Sequence, residues 1–141
     1  MGEAREAMDR VTAAAGQQDY EALGLCYAEN VVAVTPDSGE IRGRDAIVEY
    51  FRQMGQSFPD GDYESLAKHE MDNVAIDEGY ITATHTQPLP MPSGGTAPPT
   101  GKQVRIRVCD VGVVEGGVIT EYRLYFDQME LLGQLGLLPE S

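Results

Sequence analysis

Near the end of the chain, Glu121-Tyr122-Arg123-Leu124-Tyr125-Phe126-Asp127 alternates as a strand does, and the following turns repeat Met129, Leu132 and Leu135 at helical spacing. Asp127 stands at the join, an element end of the kind where catalytic groups are often placed. Glu121, Arg123 and Tyr125 share its face of the strand, and Tyr122, Leu124 and Phe126 take the other. The chemistry open to such a carboxylate is proton transfer. A solvated aspartate is too weak a base for that near neutral pH, but apolar surroundings, with Tyr125, Met129 and Leu132 nearby in sequence, would raise its pKa. The competing role is the N-cap of the terminal helix, which needs no pocket and is compatible with the first.

The elements that must position this carboxylate follow from the rest of the chain. From Glu3 to Ala15 the apolar residues Ala4, Ala7, Met8, Val11, Ala14 and Ala15 recur at amphipathic spacing, and Gly16 closes the helix. Asp19 caps a short second helix that carries Leu23, Cys26 and Tyr27 on one face and ends near Ala28. A valine-rich strand from Asn30 to Thr35 is closed by Pro36 and the Asp37-Ser38-Gly39 turn. A third helix runs from Arg44 to Met54, toward the turn Phe58-Pro59-Asp60-Gly61.

Strands follow. Tyr63 to Met71 alternates, a second run from Tyr80 to Gln87 is expected after a turn at Asp77-Glu78-Gly79, and Lys102 to Val114 joins Val118 to Phe126 through Glu115-Gly116-Gly117. Helices first and antiparallel strands afterwards indicate an α+β fold. The proline-rich segment from Pro88 to Gly101 reads equally well as a lid or rim over a pocket and as a solvated hairpin connection.

With 141 residues, 42% of them hydrophobic, residues 1–141 suit a single domain. The formal net charge of -13 opposes phosphate backbones and anionic membranes, so neither nucleic acid nor a membrane surface is an expected partner. No apolar run is long enough to cross a bilayer and the N-terminus is too charged for a secretory signal, so a cytoplasmic protein is expected. Cys26 and Cys109 read as two buried thiols. With only His69 and His85 for imidazole, no metal-ligand pattern is present.

The order of three helices packed on a curved antiparallel sheet, with a short C-terminal helix, resembles the NTF2-like cone fold. Pro98-Pro99-Thr100-Gly101-Lys102, Val114-Glu115-Gly116-Gly117-Val118-Ile119, Tyr125-Phe126-Asp127-Gln128 and Leu131-Leu132-Gly133-Gln134-Leu135-Gly136 resemble the SnoaL-like polyketide cyclases. That resemblance covers nearly the whole chain. It implies an enzyme without cofactor or metal that acts on a small hydrophobic carbonyl compound by acid/base catalysis. Such enzymes close a ring by intramolecular aldol condensation, and Asp127 matches the aspartate that handles the proton alpha to the carbonyl. The family's histidine on the preceding strand falls at Asp110 here, while His85, in Thr84-His85-Thr86, resembles a second histidine. Asp127, His85 and Asp110 are therefore the catalytic candidates, Asp110 having the solvent-facing end of a strand as its plain alternative and His85 an ordinary hydrogen-bonded position. Tyr125, Tyr27, Tyr50 and Met129 are the expected substrate walls, although tyrosines at helical spacing are usually core. The family also implies a homodimer through the outer face of the sheet.

Neighbouring chemistries stay open, because NTF2-like cones also host epoxide hydrolases, ketosteroid-isomerase-like enzymes and non-catalytic ligand-binding modules. Arg105 and Arg107 share a strand face, and an aspartate-arginine-aspartate set with Asp110 and Asp127 would resemble the epoxide hydrolases. It needs a bulge, since Asp110 has the opposite parity.

Overall fold

The computed structural model describes residues 2–91 and 94–138. Its first helix, α1 (Glu3–Gly16), buries Ala4, Ala7, Met8, Val11 and Ala14, the stripe that the spacing indicates. Gly2 has no side chain to cap it. Glu70 supplies the missing acceptor from the sheet, taking hydrogen bonds of 3.0 Å from both Gly2 N and Arg5 N. Asp19 caps α2 (Tyr20–Gly24) through Ala22 N at 3.1 Å, as its position suggests. This helix stops at Gly24 rather than near Ala28, because Tyr27 is already wholly buried at the head of strand β1 (Tyr27–Thr35). A short strand that the sequence did not announce, β2 (Gly39–Arg42), pairs back on β1 before α3 (Arg44–Ser57) begins.

The remaining strands are β3 (Asp62–Met71), β4 (Val74–Thr84), the two-residue β5 (Leu89–Pro90) and β6 (Thr96–Ala97), β7 (Gln103–Glu115) and β8 (Val118–Phe126). Helix α4 (Gln128–Leu135) closes the described fold. The main sheet has six strands in the order β2-β1-β8-β7-β4-β3. It is mixed rather than wholly antiparallel, since β1 lies parallel to β8 with Ala33 beside Tyr122. Register shifts in β3 after Ser65 and between Val113 and Val114 curve it around α1 and α3.

One expected turn lies elsewhere. The hairpin between β3 and β4 turns at Asp72-Asn73, with Asp72 at φ 53°, and Asp77-Glu78-Gly79 runs through the middle of β4. Those residues look like a turn for reasons of tertiary packing. Asp77 is buried against Arg5 of α1, and Gly79 leaves room for the ring of Tyr63. The segment after Pro88 forms a two-stranded ribbon that packs on the end of α3, where Ser57 Oγ donates to Pro88 O at 2.8 Å. Leu89 and Ala97 are buried there beside Phe58, and Pro92 and Ser93 lie outside the described residues. Among the described residues no helix is long and apolar enough to cross a membrane.

Candidate functional site

Cross-strand register decides which side chains face the helices. Ile81 stands opposite Ile106, Ala83 opposite Val104, Asp77 opposite Asp110, and Leu124 opposite Asp110 from the other side. The concave face is therefore made by the even residues of β7 and β8 with the odd residues of β4. Between this face and the helices lies a cavity of about 230 Å³. Its walls are apolar, from Val11 and Ala15 of α1, Phe51 and Met54 of α3, and Val104, Ile106, Val108, Leu124 and Phe126 of the sheet. The exposed residues Gly16, Gln18, Gly61 and Asp62 mark its mouth.

Asp110, Tyr122 and Tyr63 supply the polar side chains of its sheet wall. Tyr122 donates a 2.6 Å hydrogen bond to Asp110 Oδ2, and behind it Tyr27 packs edge to face with the two ring centroids 5.8 Å apart. Burial in this apolar setting pushes the Asp110 carboxyl up to about 6, the Tyr122 bond holding it lower than burial alone would and the nearby Asp77 charge raising it. Asp77 is more fully buried and carries its own cation. Arg5 Nη2 sits 2.6 Å from Asp77 Oδ1, a charge contact without hydrogen-bond alignment, and Arg5 Nε donates to Asp9 at 3.1 Å. Burial raises the Asp77 pKa as well, with Arg5 opposing it.

The structure brings only part of the expected set together. Asp110 and Tyr50 line the cavity; Asp127, His85, Tyr125, Tyr27 and Met129 do not. Asp127 is exposed and caps α4, accepting from Glu130 N at 3.1 Å. Its face of β8 is the convex one, because the apolar Tyr122, Leu124 and Phe126 turn inward; Tyr125 and Met129 are accordingly 53% and 63% exposed. His85 has no solvent exposure and packs 5.4 Å from the ring of Phe58, with Nδ1 accepting from Thr100 N at 3.2 Å. That bond assigns the ring proton to Nε2, and burial lowers the imidazole pKa, so the residue is neutral. Tyr27 is core behind Tyr122. Tyr50 lends its ring to the cavity wall but commits its hydroxyl to Asp37 at 2.9 Å.

The expected arginines also lie outside. Arg105 covers the ring of Tyr80 at 3.7 Å and pairs with Glu64 on the convex face, and Arg107 shares that face, 5.7 Å from the same ring. They form no set with Asp110. Arg5, whose charge acts on Asp110, and Tyr63, which lines the same cavity, were hidden in sequence as one polar position of an amphipathic helix and one tyrosine of an alternating strand. Among the described residues no cluster of His, Cys, Asp and Glu could hold a metal ion, and Cys26 and Cys109 are free thiols.

The model of the SnoaL-like domain family matches residues 8–122, and the chain belongs to that family. Its fold is NTF2-like, as in an NTF2-like protein from Burkholderia thailandensis with TM-score 0.78 and 22% identity, covering 99% of this chain and 100% of that one. A candidate SnoaL-like polyketide cyclase from a Jannaschia species matches with TM-score 0.85 and 14% identity over 97% of this chain and 94% of that one. An epoxide hydrolase from M. tuberculosis matches with TM-score 0.73 and 19% identity over 94% and 89%. No curated protein matches this chain. At these identities the structures share the fold, and different chemistries are built on it.

Proposed function

We propose that the cavity is the active site of a cytoplasmic, cofactor-independent enzyme that removes a proton from the carbon beside the carbonyl of a small apolar compound, with Asp110 as the base. The observation that carries this reading is a carboxylate on the wall of an apolar cavity, held by one tyrosine hydroxyl, with its pKa brought to about 6. A base works best when its pKa lies near the working pH. The cavity is smaller than the roughly 300–1,000 Å³ of pockets for drug-sized ligands, so a compound of one or two rings suits it. In the step itself the C–H bond breaks, its proton goes to Asp110, and the electron pair moves onto the carbonyl oxygen to give an enolate. Attack of that enolate on a second carbonyl of the same molecule closes a ring, and the alkoxide so formed takes the proton back from Asp110; return of the proton to a different carbon of the enolate is instead an isomerisation.

Exchange of the α-hydrogens of 2-tetralone in D2O, followed by NMR, tests the step without the natural substrate. The protein should accelerate exchange and Asp110→Asn should not. Equal acceleration by the variant would remove Asp110 from the chemistry.

The convex face, with Tyr125 and Val34 exposed on it and Val34 beside Arg123, supports the homodimer that the family implies. Light scattering should report a dimer, and Tyr125→Glu should shift it toward monomer.

A further inference from the structure

We infer that Tyr63 is a second catalytic group, its hydroxyl donating the hydrogen bond that holds the substrate's carbonyl oxygen while Asp110 takes the neighbouring proton. The inference rests on the acid/base reading of Asp110. Gly79 is buried in the middle of β4, where a Cβ would stand 2.4 Å from Tyr63 Cε1 and 2.5 Å from its Cζ. The same Cβ would meet Glu64 O at 2.5 Å, so a strand interior that ordinarily favours a side chain keeps none while β3 and the ring of Tyr63 lie this close.

The direction of the ring follows from register. Tyr63 is opposite Ile81, so a ring lying over Gly79 leans one side-chain row along the sheet, toward the row in which Asp77 faces Asp110. Two strand residues advance roughly 6.6 Å, about the reach of a tyrosine side chain, so the hydroxyl arrives at the row of Gly79, the one next to that of Asp77 and Asp110, which leaves room for a carbonyl group between the hydroxyl and Asp110. Its environment agrees. The phenol pKa is pushed up to about 12, first by burial and then by the charges of Asp77 and Asp110, so Tyr63 keeps its proton and remains a donor.

A donor needs an acceptor when buried, and the Tyr63 hydroxyl has none among the described residues. Its neighbours differ in this. Tyr122 is committed to Asp110 and Tyr50 to Asp37, while Tyr27, also without a partner, is sealed behind Tyr122 and does not line the cavity. Tyr63 alone of these four combines an unpartnered hydroxyl with a place on the cavity wall. Asp110 Oδ2 is occupied by Tyr122, and no other side chain among the described residues donates to Oδ1, which leaves a base oxygen and a neutral donor on one wall of an apolar chamber. That pair fits a neutral compound with one carbonyl oxygen directed inward. An anionic substrate would meet the charges of Asp110 and Asp77 and is disfavoured.

The test is binding of p-nitrophenol, whose ionised oxygen mimics the enolate and whose spectrum reports its ionisation, to the protein and to Tyr63→Phe and Asp110→Asn, measured below the titration of Asp110 so that its carboxyl carries a proton as it does beside the enolate. The wild type should bind, and Tyr63→Phe should bind at least tenfold more weakly. Its thermal midpoint should stay the same or rise, since the substitution deletes only a buried hydroxyl without a partner. Unchanged affinity in Tyr63→Phe overturns the inference, as does absence of binding by the wild type. Weakened binding accompanied by a lowered midpoint also overturns it, because that is the signature of a structural hydrogen bond. Binding lost only in Asp110→Asn overturns the role of Tyr63 and leaves that of Asp110 intact. Binding lost in Tyr63→Phe while Asp110→Asn still exchanges 2-tetralone keeps the donor and removes the base.

Discussion

Asp77 and Asp110 face one another across β4 and β7 on the concave side of the sheet, and Arg5 lies against Asp77, 2.6 Å from its Oδ1. The two carboxylates are thereby given different fates. Asp77 is buried beside a cation that also donates to the carbonyls of His69 and Ile76, an arrangement that fastens α1 to the sheet. Among the side chains of the described residues Asp110 has only the Tyr122 hydroxyl as a hydrogen-bond partner, and it opens on the cavity, where its proton can leave and return. Burial against the apolar wall and one like charge raise its pKa, and the Tyr122 hydrogen bond, helped by the Arg5 charge and its own backbone N–H, keeps it from rising further.

Asp110→Asn should exchange activity for stability, with a sign fixed by the raised pKa. The folded carboxyl, at about 6, binds its proton more tightly than the ordinary 3.8, so ionisation weakens the fold as pH rises between those values. The full cost is up to about 3 kcal/mol, less what the amide loses in the Tyr122 bond. The stability advantage of the variant should therefore be near zero below about pH 4, grow toward pH 6 and stay level above it. Urea unfolding at several pH values measures this. Wild-type exchange of 2-tetralone should rise around pH 6, where the folded base ionises, and the variant should stay inactive throughout.

Tyr122→Phe removes the hydrogen bond that lowers the Asp110 pKa, so the carboxyl should titrate higher, by about one unit for a bond to a charged group. Carboxyl chemical shifts in a 13C-labelled protein would follow the titration directly. The pH profile of exchange should move to higher pH by the same amount. A profile that stays in place would show that another group sets it.

Arg5→Met leaves Asp77 buried without its cation. Removing one partner of a buried pair costs roughly 3–5 kcal/mol, so a large drop in unfolding free energy is expected. Replacing both partners, as Arg5→Met with Asp77→Leu, should recover most of it, because the pair is no longer half present. The Asp110 carboxyl in the single variant should titrate higher, as Arg5 is one of the influences that lower it. Restored stability in the double variant, measured by urea unfolding, is the decisive result.

Where a signal is local, the sequence shows the fold plainly. Ala4, Ala7, Met8 and Val11 draw α1, Asp19 caps α2, and Glu115-Gly116-Gly117 turns the last hairpin. Asp77 and Gly79 mislead for the opposite reason, since their residue types answer to partners far away in sequence, Arg5 and Tyr63. The parity of β8 is the deeper ambiguity. Tyr122, Leu124 and Phe126 on one side and Tyr125 with Asp127 on the other are both plausible linings until the register with β7 is known. That one choice separates a site built on Asp110 from one built on Asp127, and nothing within β8 makes it. The parallel pairing of β1 with β8 is equally silent, because it joins segments from opposite ends of the chain.

The two carboxylates can be told apart by substitution. Asp127 caps α4 from the convex side, so Asp127→Asn, which keeps a capping oxygen, should leave both stability and exchange close to wild type. Asp127→Ala should lose about 1 kcal/mol of stability and still catalyse, provided the folded fraction is taken into account. Asp110→Asn should show the reverse pattern, folded and inactive. Parallel measurement of thermal midpoint and 2-tetralone exchange for the three variants places each carboxylate by a pair of numbers rather than one. Inactivity of a fully folded Asp127→Asn would return the chemistry to the strand-to-helix junction, because a cap that the amide preserves has no other route to the reaction.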